Sequence, residues 1–283
     1  MYKLRSWIKE DKLYWNMMSS NPKAIRYLEQ NPDKINWTLL CENPEAVSLL
    51  EENKDLIDWN RIAQNPGAIG LLERNPDKIN WRNLCQNPAA IHLIEANPEE
   101  IVWGPLSSNP AAIHLLEQNL DKVNWASLST NPAAIHLLEA NQDKIDWELL
   151  SQNTEAIHLL SQNLDLIDWT ELSINPNALP LLMEHPSQIH WGQLVLNPGA
   201  HDVLAMIYDE DFHMKSLMCQ NPAVIHIIET FTNPSYYRLS QNPAIFEYDY
   251  EGMKESHADL FKELVETVFH PKNIDKFEFW DLD

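Results

Sequence analysis

The chain has 283 residues, and 20 Lys and Arg against 42 Asp and Glu give it a formal net charge of -22 at pH 7. An acidic chain without a basic cluster is unsuited to binding phosphate backbones, so nucleic acid is not an expected partner. No stretch approaches the roughly 20 apolar residues of a membrane span, and the N-terminus lacks the apolar core of a signal peptide. We therefore expect a soluble intracellular protein.

The first element in chain order, residues 1–14, is a degenerate half-copy of the repeat that follows it. Glu10-Asp11-Lys12-Leu13 stands where later copies have Pro-Asp-Lys-Ile. We expect this segment to cap the N-terminal end of the array.

Nine regular copies of a 22-residue unit then occupy residues 15–206. Each copy is anchored by a tryptophan at constant spacing: Trp15, Trp37, Trp59, Trp81, Trp103, Trp125, Trp147, Trp169 and Trp191. Self-similarity at a fixed period of this length is typical of a solenoid. Because such a short unit cannot bury its own apolar face, we predict that the tryptophans form the interlocking core.

Counted from tryptophan as position 0, the unit reads W-x-x-L-x-x-N-P-x-A-I-x-L-L-E-x-N-P-D-K-I-[ND]. The Asn at +6 and the Pro at +7 predict the start of a helix of about ten residues, since Asn caps free amides and Pro fits the first turn. The P-D-K-I segment predicts a single turn. A short helix capped by the Asn or Asp at -1 then follows, with the preceding Ile packed on the Leu at +3.

These elements predict an all-α fold, a right-angled stack of short helices forming a repeat solenoid of 22-residue units that is capped at both ends. With neighbouring helices about 10 Å apart, nine units predict a curved or twisted rod of about 90 Å.

Beyond residue 206 the pattern loses its regularity. Residues 207–250 read as irregular repeats with an acidic insertion, and residues 251–283 read as a C-terminal capping helix and tail. Broken repeats and apolar tails expose surface that regular stacking would hide, so both are candidate protein-docking sites. The candidate residues are Tyr208, Asp209, Glu210, Asp211, Phe212, Phe277, Phe279 and Trp280.

The histidines are the only residues whose arrangement suggests a metal or acid–base site. A column at +11 comprises His92, His114, His136 and His158, with His226 in the matching place and glutamates three residues after the first three. Its members are about one repeat apart, too far to share a metal, so we expect surface pairs within each helix. A second cluster, formed by His185, His190, His201, Asp202, Asp209 and His213, leaves a metal-dependent hydrolase at residues 185–213 as a remote alternative. We predict no catalytic residue, metal or cofactor.

Three cysteines, Cys41, Cys85 and Cys219, show no metal-binding spacing. Cys41 and Cys85 share one repeat position two units apart, about 20 Å on regular stacking and beyond disulfide reach. A reducing compartment fits this usage best.

The unit N-P-x-A-I-H-L-L-E-x-N-P-D-K-I-[ND]-W resembles the short asparagine-proline repeats of many proteins encoded by giant, nucleocytoplasmic large DNA viruses, over about residues 10–206. The resemblance implies a viral origin and a non-catalytic role, in the virion or in the host cytoplasm. The leading expectation is a virion component, such as a minor capsid or cementing protein bound to capsid subunits. The alternative is an intracellular adaptor that binds host proteins.

Overall fold

The computed structural model describes residues 2–207 and 212–255. Two compact units are present, one formed by residues 9–245 and one by the segments on either side, 2–8 and 246–255. Almost all of the described chain outside turns is helical, which confirms the predicted all-α repeat solenoid.

Within residues 9–245, each repeat begins with a short α-helix that carries the tryptophan position. These first helices are Trp15–Met18, Trp37–Leu40, Trp59–Ile62, Trp81–Leu84, Trp103–Ser107, Trp125–Ser129, Trp147–Leu150, Trp169–Ile174, Trp191–Leu194, Phe212–Met218 and Tyr236–Leu239. The second helices are Ile25–Glu29, Val47–Glu52, Ile69–Glu73, Ile91–Ala96, Ile113–Glu117, Ile135–Glu139, Ile157–Ser161, Leu179–Glu184, His201–Ile207 and Ile225–Ile228.

Turns of 3-10 helix join these α-helices. Before the second helices they span Pro22–Ala24, Pro44–Ala46, Pro66–Ala68, Pro88–Ala90, Pro110–Ala112, Pro132–Ala134, Pro198–Ala200 and Pro222–Val224, and a further turn, Pro243–Ile245, ends the array. Before the first helices they span Glu10–Lys12, Pro32–Lys34, Lys54–Leu56, Pro76–Lys78, Pro98–Glu100, Gln142–Lys144, Leu164–Leu166 and Pro186–Gln188.

The predicted capping residues are found at the N-terminal ends of these helices. The side chain of Asn131, at +6, accepts the amide of Ala133 at 3.0 Å, and Pro132 occupies the first helical position. At -1, the side chain of Asn124 accepts the amide of Ser127 at 2.9 Å. The P-D-K-I segment is a single turn followed by an extended residue, as predicted.

The same Asn at +6 also holds neighbouring repeats together, a role that the sequence pattern did not indicate to us. Its side-chain amide donates to backbone carbonyls of the preceding repeat, as Asn131 does to Ser107 at 3.0 Å and to Asn109 at 3.1 Å. The Asn109 carbonyl also accepts the amide of Ala112, and Asn131 is fully buried, so its donors have no water to bond instead. This asparagine ladder runs through Asn21, Asn43, Asn65, Asn87, Asn109, Asn131, Asn153, Asn175, Asn197, Asn221 and Asn242.

The array closes on itself, so the expected open rod, capped separately at each end, is wrong. Asn21 of the first repeat donates to the carbonyls of Ser240 and Asn242, each at 3.2 Å, as if the last repeat preceded it in the chain. The amide of Tyr14 donates to the hydroxyl of Ser240 at 2.8 Å. We call this interface, between residues 9–24 and 233–245, the seam. Residues 9–14 therefore pack on the last repeat instead of covering a free N-terminal end.

The fully buried core differs from the predicted one. It consists of the apolar residues at +3, +9 and +13 and the small residue at +4, represented by Leu106, Ala112, Leu116 and Ser107. The tryptophans are half-buried, and Trp191 is 40% exposed. Because fully buried Ala and Ser side chains let adjacent repeats approach closely, an indole fits only at the edge of each interface.

The smaller unit contains the only strands among the residues that the structure describes. Strand β1 (Tyr2–Leu4) pairs antiparallel with strand β2 (Phe246–Tyr248), placing Tyr2 opposite Tyr248 with ring centroids 5.0 Å apart. Ion pairs join Lys3 to Asp249 at 3.9 Å and Arg5 to Glu247 at 3.8 Å. The sequence pattern did not predict this pairing, because each strand is only three residues long and their pairing is non-local.

No helix in residues 2–207 and 212–255 is long and apolar enough to cross a membrane. Of the predicted C-terminal capping helix and tail at 251–283, only residues 251–255 lie in the described chain, where they are helical.

Candidate protein-binding surface

The tryptophans form a column along the edges of the repeat interfaces. In three repeats a lysine 19 residues later lies over the indole, with Nζ 4.3 Å from the ring centroid of Trp15 for Lys34, 4.8 Å from Trp103 for Lys122 and 4.5 Å from Trp125 for Lys144. Each lysine lies at +19, in the turn that leads into the next repeat. These cation–π contacts partly cover the ring faces and hold that turn against the tryptophan of its own repeat.

The seam repeats this arrangement with tyrosine in place of tryptophan. Lys12 lies over Tyr236 with its Nζ 5.6 Å from the ring centroid. Beside it, the exposed rings of Tyr14 and Tyr237 meet edge to face at 5.5 Å. A groove of about 530 Å³ opens here between residues 11–14 and residues 233–237. The seam is therefore an aromatic surface with a cation and a carboxylate, Asp11, at its rim.

The buried residue at +4 forms a second ladder between repeats. The Ser107 hydroxyl accepts the amide of Asn124 at 3.0 Å, and the Cys85 thiol accepts the amide of Val102 at 3.4 Å. Cys41 and Cys219 hold equivalent positions and accept amides at 3.3 Å each. These three thiols are free and buried, and each accepts a backbone amide, so each cysteine has a structural role.

Burial raises the pKa of all three thiols, although a backbone hydrogen bond to each sulfur opposes the shift. Because the thiolate is the reactive form, we expect the native protein to react at least tenfold more slowly with a disulfide reagent than a short cysteine peptide does at pH 8. Absorbance of the released thiolate measures the rate. In denaturant, three thiols per chain should react rapidly. Rapid reaction of any of the three in the native protein would contradict their burial between the repeats.

The histidine column forms hydrogen-bond contacts between repeats. His92 Nε2 lies 2.9 Å from the Glu73 carboxylate of the preceding repeat. The same contact joins His114 to Glu95, His136 to Glu117 and His158 to Glu139, at 2.6, 2.8 and 2.7 Å. The expected pairing within one helix is therefore wrong. Because the repeats stack with a lateral offset, the glutamate of one repeat lies nearer the next repeat's histidine than its own.

A double-mutant cycle distinguishes the two pairings. Between His136→Ala and Glu117→Ala, in adjacent repeats, we expect a coupling of about 0.3–0.5 kcal/mol in the free energy of unfolding at pH 6. Between His136→Ala and Glu139→Ala, on one helix, the coupling should be near zero. Urea denaturation measures both cycles, and a larger coupling within the helix would contradict the observed geometry.

The irregular junction does not assemble its histidines into a site. His185 stacks on Trp169 with ring centroids 5.2 Å apart, and His190 caps its helix by accepting the amide of Gln193 at 3.2 Å. His201 contacts its neighbour Asp202 at 3.4 Å. Within the described ranges no group of three or more His, Cys, Asp or Glu is placed to hold a metal ion. Asp209 lies outside those ranges.

The candidate docking residues are mostly outside the described chain as well. Tyr208, Asp209, Glu210 and Asp211 fall in its gap, and Phe277, Phe279 and Trp280 lie beyond residue 255. Phe212 begins the helix Phe212–Met218. The docking prediction for these residues stays a prediction.

Comparison of the chain with protein-family models, with curated proteins and with solved structures finds no match. The repeat geometry and the chemistry of its exposed edge are therefore the observations on which a functional proposal rests.

Proposed function

We propose that this protein is a non-enzymatic scaffold that binds other proteins. The observation that carries the proposal is the closed array with one half-exposed aromatic residue at the edge of each regular repeat. A rigid frame that presents a row of amphipathic rings suits protein recognition, because aromatic residues contribute large contact areas at low entropic cost.

Ring closure also bears on how a partner would be bound. The stacking faces of the first and last repeats contact each other at the seam and are not available to a partner. A partner therefore binds the edges of the repeats, where the tryptophan column lies. The leading form of the proposal is a virion component, a minor capsid or cementing protein held between larger subunits. An adaptor that binds host proteins inside the cell is the alternative, and it uses the same surface.

Cross-linking mass spectrometry on purified virus particles tests the leading form. Reproducible links between lysines of this chain and capsid subunits would support it, with Lys34, Lys122 and Lys144 of the tryptophan column as informative positions. Absence from the particles, with links to host proteins in infected cells, would favour the adaptor. Absence of protein partners in both samples would overturn the proposal.

A further inference from the structure

Among the covering places that lie in the described chain, one holds an acid instead of a lysine. The residue 19 places after Trp81 is Glu100, whereas Lys34, Lys122 and Lys144 occupy that place after Trp15, Trp103 and Trp125. The turn Pro98–Glu100 carries two exposed carboxylates, Glu99 and Glu100, and no basic residue. No lysine or arginine of the described chain is placed over the half-buried ring of Trp81.

We propose that Trp81 and Glu100 form a notch that receives a lysine or arginine side chain from a partner protein. The inference rests on the proposed protein-binding function and names the chemistry of the partner. The three lysines above show what fits at this place, because an alkyl-ammonium group there lies 4.3–4.8 Å from an indole centroid in sister repeats. At the place that corresponds by repeat offset to these lysines, the chain has Glu100 after Trp81 and so supplies no cation of its own.

Charge at the notch favours this occupant. A cation over an indole gains from the ring quadrupole, and a carboxylate at the rim adds an ion pair. The net charge of -22 attracts a basic segment towards the surface before contact. Arg82 is the neighbouring exposed cation of this chain, and a basic partner must approach beside it.

Other positions of the column are less suited to an external cation. Leu56 and Leu166 stand at the covering place after Trp37 and Trp147, and each supplies an apolar side chain instead of a charge. Lys78, the covering residue after Trp59, contacts Asp77 at 3.5 Å. Within the described ranges, Trp81 is thus the tryptophan that has a carboxylate residue at this place, since Glu210 after Trp191 falls in the gap.

The test uses the full-length protein and fluorescein-labelled octalysine, with affinity read by fluorescence anisotropy at 0.15 M salt. Trp81→Leu should weaken binding about threefold to tenfold, because it removes the ring without changing the charge. Trp37→Leu is the matched control and should change the affinity by less than twofold. Equal effects of the two variants would overturn the notch.

A second pair of variants separates the notch from general acidity. Glu100→Lys supplies the missing internal cation and should weaken binding about tenfold, whereas Glu99→Lys makes the same change in charge one residue away and should weaken it about twofold. Equal weakening would overturn the proposal. If the variants do not change peptide binding as expected, cross-linking can still show a protein partner. If cross-linking shows no partner, the peptide can still bind in a Trp81-dependent way. The two proposals can therefore fail separately.

Discussion

Asn21→Ala should lower the free energy of unfolding by about 3 kcal/mol, as much as Asn131→Ala in the middle of the array. Each substitution removes a side-chain donor from two carbonyls of the neighbouring repeat and the cap from one helix amide. One of the two carbonyls, that of Asn242 or Asn109, keeps a backbone amide donor. The equality is the informative part, because Asn21 belongs to the first repeat in the chain. In an open array its amide would face water, and only the cap would be lost, about 1 kcal/mol.

Urea denaturation followed by circular dichroism measures both values, with the same slope required in each variant. Asn119→Ala is the matched control, since the Asn119 amide donates to the carbonyl of Leu115 within its own repeat at 2.9 Å. We expect a loss of about 1 kcal/mol there. A loss at Asn21 that matches the Asn119 control instead of Asn131 would show that the seam is not formed in solution.

Leu116→Ala should cost about 3 kcal/mol, within the range for a leucine truncated in a rigid core. Leu116 stands at +13 of its repeat and has no exposed surface. Its neighbours are held by both ladders of hydrogen bonds, so the repeats cannot move together to fill the space that is created. The residual cavity therefore adds to the lost transfer free energy.

Leu120 in the following turn gives the control for this prediction. Its side chain is 43% exposed, and Leu120→Ala should change the free energy of unfolding by less than about 0.5 kcal/mol. Both values come from the same denaturation experiment. Similar costs at the two leucines would contradict the division into a buried +13 position and an exposed turn.

Several surface side chains contact residues 19 positions away in the sequence and not their near neighbours. Glu117 contacts His136 of the next repeat, and Lys122, in the turn that leads into the next repeat, covers Trp103. Each contact spans 19 residues, so a change at one position acts on a residue almost one repeat away in the sequence. For this reason we infer the side chain that a partner places at Trp81 from the lysines that other repeats have 19 residues after their tryptophans.

Local features were predictable from the sequence because they depend on residues a few places apart. The period located every regular repeat, and the Asn caps, the proline starts and the turn at P-D-K-I follow from short-range sterics and hydrogen bonding. The histidine column was recognised, but its direction of pairing was not, since the offset between stacked helices does not appear in the spacing of one repeat.

Only the tertiary structure decided that the array closes and which residues are buried. Closure depends on a small rotation per repeat accumulated over eleven units, and no single repeat encodes that sum. Whether an indole lies inside or at the edge depends on how closely the backbones approach, which Ala112 and Ser107 set from the neighbouring repeats. By itself the sequence determined the repeating unit and its hydrogen-bonded ends. The contacts between neighbouring repeats determined that the array closes and that the aromatic residues lie at its edge.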